Sequence, residues 1–136
     1  MCTINSVLIV EDFVPFRVLI SSLLQERPNF QIVSEASDGL EAVRRAKELN
    51  PDLIVMDIGL PGINGMEAAR RMQKLAPRSK IVFLTQEGSA EVAEEALNLG
   101  ALGYVQKGRA LDDLFPALAA ALEGKTFVSG ELASVI

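Results

Sequence analysis

What most constrains this chain is the regular return of short apolar runs, separated by stretches with helical period. The runs are Val7 to Val10, Phe30 to Val33, Leu53 to Met56, Ile81 to Leu84 and Leu102 to Val105. Each is rich in β-branched or aromatic residues and bounded by turn residues, the signature of a strand. The first, third and fourth are continuously apolar, as expected of strands covered on both faces. Between the runs, apolar residues recur every three or four positions. Phe16, Leu19, Ile20, Leu23 and Leu24 mark an amphipathic helix opened by Pro15. Leu40, Ala42, Val43, Ala46 and Leu49 mark a second from Asp38, ended by Asn50-Pro51. Met66, Ala69, Met72 and Leu75 mark a third, stopped by Pro77. A fourth runs through Val92, Ala93, Ala96, Leu97 and Leu99, with Ser89 as N-cap and Gly100 just past its end. Leu111 to Leu122 form a fifth that ends at Gly124, where Pro116 predicts a kink or a start one turn later. Strand alternating with helix predicts an α/β fold, a parallel sheet with helices on both faces and right-handed crossovers.

Composition closes off several classes of function. With 49% hydrophobic and 23% charged residues in 136, the chain is not disordered and has the length of a single domain. Leu114 to Leu122, the longest nearly apolar stretch, is too short to span a bilayer and is broken by Pro116. The start, MCTINS, has neither a basic region nor an apolar one, so no secretory signal is expected. The single cysteine, Cys2, has no assigned role and cannot form an internal disulfide, so a reducing compartment fits. The absence of histidine excludes His-based triads and most catalytic zinc sites. A net charge of −5 argues against non-specific binding to nucleic acid or anionic membrane. Residues 1–124 are expected to form the domain, and 125–136 a tail or the start of an interdomain linker.

In open α/β sheets, ligands bind off the carboxyl ends of the strands. The residues just past those ends are Glu11 and Asp12, then Asp57, then Thr85, then Lys107. Taken singly, each has a plainer explanation as a turn former, a helix start, a strand residue or a surface charge. Together they place three carboxylates, a hydroxyl and an amine on one rim. Clustered carboxylates repel strongly and require cationic compensation. Lys107 supplies one charge, and a hard divalent cation such as Mg²⁺ would supply the rest. A carboxylate beside such an ion can act as a nucleophile toward a phosphoryl group. Transfer of that group depends mainly on positioning and charge neutralisation, so histidine is not needed. The basic set Arg70, Arg71, Lys74, Arg78 and Lys80 reads as a solvated helix face, and the acidic set Glu91, Glu94 and Glu95 reads equally as a solvated face or as a stripe that would prefer a basic partner.

The motifs VLIVED at 7–12, PDLIVMDIGLPGINGME at 51–67, IVFLT at 81–85 and ALGYVQKG at 101–108 resemble receiver domains of bacterial two-component response regulators. The likeness is strongest to the NarL/FixJ-type branch. It implies a flavodoxin-like (βα)5 doubly wound sheet with strand order 2-1-3-4-5. It also implies that Asp57 accepts a phosphoryl group from a sensor histidine kinase. Mg²⁺ would be held by Asp12 directly, by Glu11 mainly through water, by Asp57 and by the Gly59 carbonyl. Lys107 would pair with Asp57 and then with the phosphoryl oxygens. Thr85 and Tyr104 would form the switch that alters an output face of helix 4, strand 5 and helix 5. The implied setting is cytoplasmic, with regulation of transcription through an effector domain absent from this chain, a homodimer as a further partner, and no DNA contact by the chain itself.

Several positions depart from the family pattern. Gln86 stands where alanine or glycine is usual, and Phe13 and Val14 are more apolar than usual. Gly59 and Glu87 occupy positions that tune phosphoryl lifetime. Gly108 follows Lys107 where many receivers carry a cis-proline, and the Lys107-Gly108 bond is expected to be cis despite its cost. These departures sustain an alternative, a receiver fold used only for dimerisation or docking without phosphorylation. A flavin-binding module of the same topology fits less well, because EDFVPF after the first strand would repel a phosphate.

Overall fold

The computed structural model describes residues 3–86, 88–130 and 132. Cys2, Glu87 and residues 131 and 133–136 of the tail lie outside the described residues. In chain order the elements are β1 (Asn5–Val10), α1 (Val14–Gln25), β2 (Phe30–Ala36), α2 (Gly39–Leu49), β3 (Leu53–Met56) and α3 (Gly65–Leu75). Then follow β4 (Lys80–Thr85), α4 (Ala90–Asn98), β5 (Gly103–Gln106), a 3-10 turn (Lys107–Arg109), α5 (Ala110–Leu122) and β6 (Phe127–Val128). The sheet is parallel throughout, with order β2-β1-β3-β4-β5-β6. The order expected for the first five strands is present, and a sixth extends it.

Strand alternation divides the core in two. Leu8, Val10, Ile54, Met56, Ile81 and Phe83 face one side, where they pack with Ala42, Ala46, Ala69 and Met72 of α2 and α3 and Ala93 and Ala96 of α4. Val7, Ile9, Leu53, Val55, Val82 and Leu84 face the other, against Ile20 and Leu24 of α1 and Leu114, Ala117 and Leu118 of α5. A strand filling two cores has no polar side to show, which explains the continuous apolar runs. β2 lies at the sheet edge, so Gln31, Val33 and Glu35 are exposed and the strand continues to Ala36 behind a polar alternation.

Local chemistry sets the helix boundaries. Asp38, Asn64 and Ser89 cap α2, α3 and α4 by accepting first-turn amide hydrogens. Asn50 closes α2 in the left-handed conformation, and Gly100, at φ 108°, follows α4. Helix α5 starts at Ala110 and runs through exposed Pro116, so the later start is not adopted. Among the described residues no helix is long and apolar enough to cross a membrane.

Residues 127–129, past Gly124, are tied into the fold. Phe127 and Val128 pair in parallel with Gly103 and Tyr104. Ser129 is fully buried and its amide donates to the Tyr104 carbonyl at 2.9 Å. Its hydroxyl donates to Asp113 Oδ2 at 2.8 Å and accepts from the Gln106 amide at 3.0 Å. The Arg109 guanidinium donates to the same carboxylate at 2.8 Å. A two-residue strand is too short to show a period, which is why the sequence hides it.

Burial pushes the Asp113 carboxyl up, but hydrogen bonds from Arg109 and Ser129 outweigh that and hold it below the usual range. The stability it contributes is therefore complete above the unfolded-state value and is lost as pH falls through the depressed folded-state value. In denaturant unfolding, Asp113→Asn should be less stable than the unaltered chain at neutral pH, with the gap closing as pH is taken below about 3.9. Ser129→Ala should cost about 1–3 kcal/mol in the same assay, since it leaves the Gln106 amide without its acceptor and removes one of the two donors to Asp113 Oδ2.

Candidate functional site

The parallel register brings the site together. Val10 lies opposite Met56, so the next residues, Glu11 and Asp57, emerge side by side from two central strands. The ladder continues one step past each strand end, with the Glu11 amide donating to the Ala36 carbonyl and the Asp57 amide to the Val10 carbonyl. By alternation Glu11 and Asp57 share the side of Ile9 and Val55, facing α1 and α5. Lys107 follows β5 with the parity of Val105 and reaches the same side.

The Lys107 ammonium bridges the two carboxylates, 2.7 Å from Glu11 Oε1 and 3.1 Å from Asp57 Oδ2. Both acids are nearly enclosed, at 3% and 8% exposure. Asp12 is exposed beside them, and Glu11, Asp12 and Asp57 each offer an oxygen within 4.8 Å of the others. Three carboxylates against one ammonium leave two net negative charges. An open cleft over this group is lined by Glu11, Asp12, Phe13, Asp57, Gly59, Gln86 and Lys107.

Backbone donors fix the acids. Asp57 Oδ1 accepts from the Ile58 amide at 2.7 Å and, at 3.4 Å, from that of Gly59. Glu11 Oε2 accepts from the Phe13 amide at 3.0 Å. Gly65 is required by contact, because a Cβ there would collide with the Asp57 carbonyl. Burial pushes the Glu11 carboxyl upward, more than the Lys107 hydrogen bond and the Phe13 amide pull it down. Burial pulls the Lys107 ammonium down, but hydrogen bonds to Glu11 and Asp57 and the charges of both acids outweigh it, leaving Lys107 raised and cationic.

Thr85 and Tyr104 belong to the opposite side of the sheet. Buried Thr85 lines a neighbouring stretch of the rim with Asp57, Ile58, Gly59 and Gln86. Tyr104 lies fully inside the core shared with α2, α3 and α4. The backbone corrects one expectation: the Lys107-Gly108 bond is trans, like every peptide bond among the described residues. A cis bond without proline costs several kcal/mol, and Lys107 reaches both acids from a trans backbone. Two contacts escape a search of strand ends. Arg17 reaches back from α1 to donate to the Glu11 carbonyl at 2.8 Å, and the Phe16 ring lies against Lys107. The basic set on α3 is partly neutralised, with Arg70 paired to Glu67 and Glu95, and Arg71 to Glu67.

The family model described as the response regulator receiver domain matches residues 7–119. The chain belongs to that family. This receiver domain is 34% identical over 127 residues to the response regulator GacA of Pseudomonas syringae, covering 93% of this chain and 59% of that protein. It is 42% identical over 103 residues to a protein-glutamate methylesterase/protein-glutamine glutaminase of Thermotoga maritima, covering 74% of this chain and 30% of that protein. The chain thus spans less than two thirds of the curated relatives it matches. The crystal structure of a LuxR-family two-component response regulator from an Aurantimonas species aligns with a TM-score of 0.92 at 32% identity, over 97% of this chain and 94% of that one. The flavodoxin-like sheet is therefore that of a two-component receiver, with transcription regulators among its relatives.

The bridging ammonium predicts a charge-dependent stability. Lys107→Met, measured without divalent cations, should lower unfolding stability by on the order of 3 kcal/mol, because two enclosed carboxylates lose their counter-charge. Adding Glu11→Gln to that variant should restore part of the loss.

Proposed function

We propose that this receiver domain is the phosphoacceptor switch of a two-component system and that Asp57 is the residue phosphorylated. The observation that carries this proposal is the meeting of Glu11, Asp12 and Asp57 around a single ammonium, with two negative charges left over. The donors are all hard oxygens, which suits Mg²⁺. Glu11, Asp12, Asp57 and the Gly59 carbonyl would hold the ion. When bound, it neutralises the acids and polarises the oxygens of an incoming phosphoryl group.

A carboxylate nucleophile such as Asp57 has no proton to give up in the attack and needs no general base. One of its oxygens attacks phosphorus while the P–N bond of a kinase phosphohistidine breaks, and the electron pair of that bond leaves with the imidazole nitrogen. The product is an acyl phosphate on Asp57. The Ile58 and Gly59 amides orient the carboxylate, and Lys107 carries its charge from Asp57 to the new phosphoryl oxygens. The Thr85 hydroxyl then turns toward the phosphoryl group. Tyr104, buried on the same side of the sheet, passes the change to α4, β5 and α5, the output surface. Gln86, exposed on the cleft wall, narrows the approach to Asp57. The partners are a sensor histidine kinase and a second copy of the domain in the cytoplasm, and DNA is reached only through an effector outside this chain.

Phe13, 61% exposed at the cleft mouth, favours a second reading in which the domain docks partners without being phosphorylated. Acetyl phosphate with Mg²⁺, followed by intact-mass measurement, separates the two. The unaltered chain should be labelled, and Asp57→Asn should not. Chelation should abolish labelling. Mg²⁺ at a hundred times its dissociation constant should raise unfolding stability by about 2.7 kcal/mol, and Asp12→Ala should lose most of that gain. Undiminished labelling of Asp57→Asn would overturn the assignment.

A further inference from the structure

We infer that Phe16 is a positioning residue for phosphoryl transfer, its ring face holding the Lys107 ammonium over Asp57. This rests on the reading of Asp57 as the phosphoacceptor. The ring centroid lies 4.8 Å from Lys107 Nζ, within the range in which an aromatic face attracts a cation. An ammonium has three N–H bonds. Two are directed to Glu11 and Asp57, and the ring covers a further side.

The sequence places Phe16 there for a local reason. Pro15 opens α1, and Phe16 in its first turn points back to the sheet face that carries Glu11 and Asp57. There it is half-buried against the core shared with α5 and borders the same recess as Glu11, Asp57 and Val55. A leucine would fill that apolar space as well, so packing alone does not call for an aromatic ring.

The chemistry gives the ring a role. Asp57 loses its charge when its oxygen bonds to phosphorus, so Lys107 must exchange that partner for a phosphoryl oxygen. The ring does not change charge during the reaction. It confines a side chain with four rotatable methylenes while the exchange takes place.

Acetyl phosphate serves as the donor in the test. An Asp57 oxygen attacks phosphorus, the bond from phosphorus to the acetyl oxygen breaks, and acetate leaves with the electron pair. In the unaltered protein one lysine ε-methylene signal should be shifted upfield by the ring current, and Lys107→Met should remove that signal. Phe16→Leu should return it to the ordinary position and slow labelling at saturating donor and Mg²⁺ by about two- to fivefold. Its Mg²⁺ titration should not change and its thermal midpoint should fall by no more than about a few degrees, and Phe16→Tyr should keep both the shift and the rate. If Phe16→Leu unfolds, Phe16→Met supplies the same comparison. A Leu or Met variant at full rate, equal slowing in the Tyr variant, or no shifted lysine signal would each overturn the inference while leaving Asp57 as phosphoacceptor. An unaltered protein that is never labelled would overturn the phosphoacceptor reading itself, and the role of Phe16 with it.

Discussion

The ammonium of Lys107 is the constraint on which the rest of the site depends. Glu11 and Asp57 leave adjacent strands and are nearly closed off from water, where two like charges repel strongly. One cation between them, at 2.7 and 3.1 Å, makes that arrangement tolerable. Burial opposes the charge on Glu11 and on Lys107, and for Lys107 the attraction prevails. What remains is a site stable enough to fold and still negative overall, which suits a dication. The features around it serve that balance: amides on the free carboxylate oxygens, Arg17 on the Glu11 carbonyl, and a glycine where Asp57 needs close approach.

The sheet and the candidate site were legible in the sequence to different depths. Continuous apolar runs identify the central strands because two cores are filled from the same few residues. Once those strands are known to be parallel, the positions after their ends converge on one rim, so Glu11, Asp12, Asp57, Thr85 and Lys107 can be selected without coordinates. Caps such as Asp38 and Ser89 are readable because they act over three residues. Features that depend on distant parts of the chain are not. β2 was cut short because Ser34-Glu35 breaks its apolar run at an exposed edge. β6 was missed because two residues carry no period and Ser129 finds its partners, Asp113 and Gln106, far back in the chain. Phe16 looked like one more core residue, since helical spacing says which side of a helix is apolar and nothing about a charge arriving from β5. The expected cis bond at Gly108 carried over a proline habit to a residue with no ring to favour it.

Relatives frame what this domain supports. Similar receivers occur in GacA and in a methylesterase/glutaminase, proteins with different outputs. Those relatives share the matched region, 59% of one protein and 30% of the other, and differ in the rest of their length. β6 and Ser129 bear on that division, because they fix where the chain leaves the sheet, one strand away from Tyr104 and next to the turn that carries Lys107.

The two-sided core has a last consequence. Along the same strands, alternate positions look toward α1 and α5 or toward α2, α3 and α4. Glu11, Asp57 and Lys107 share the first parity, and Thr85 and Tyr104 the second. Under the function proposed for Asp57, reaction chemistry and signal readout would thus be written in interleaved letters of one text. Mutation could then revise one set while sparing the other, so lineages would acquire new responses without reinventing the reaction.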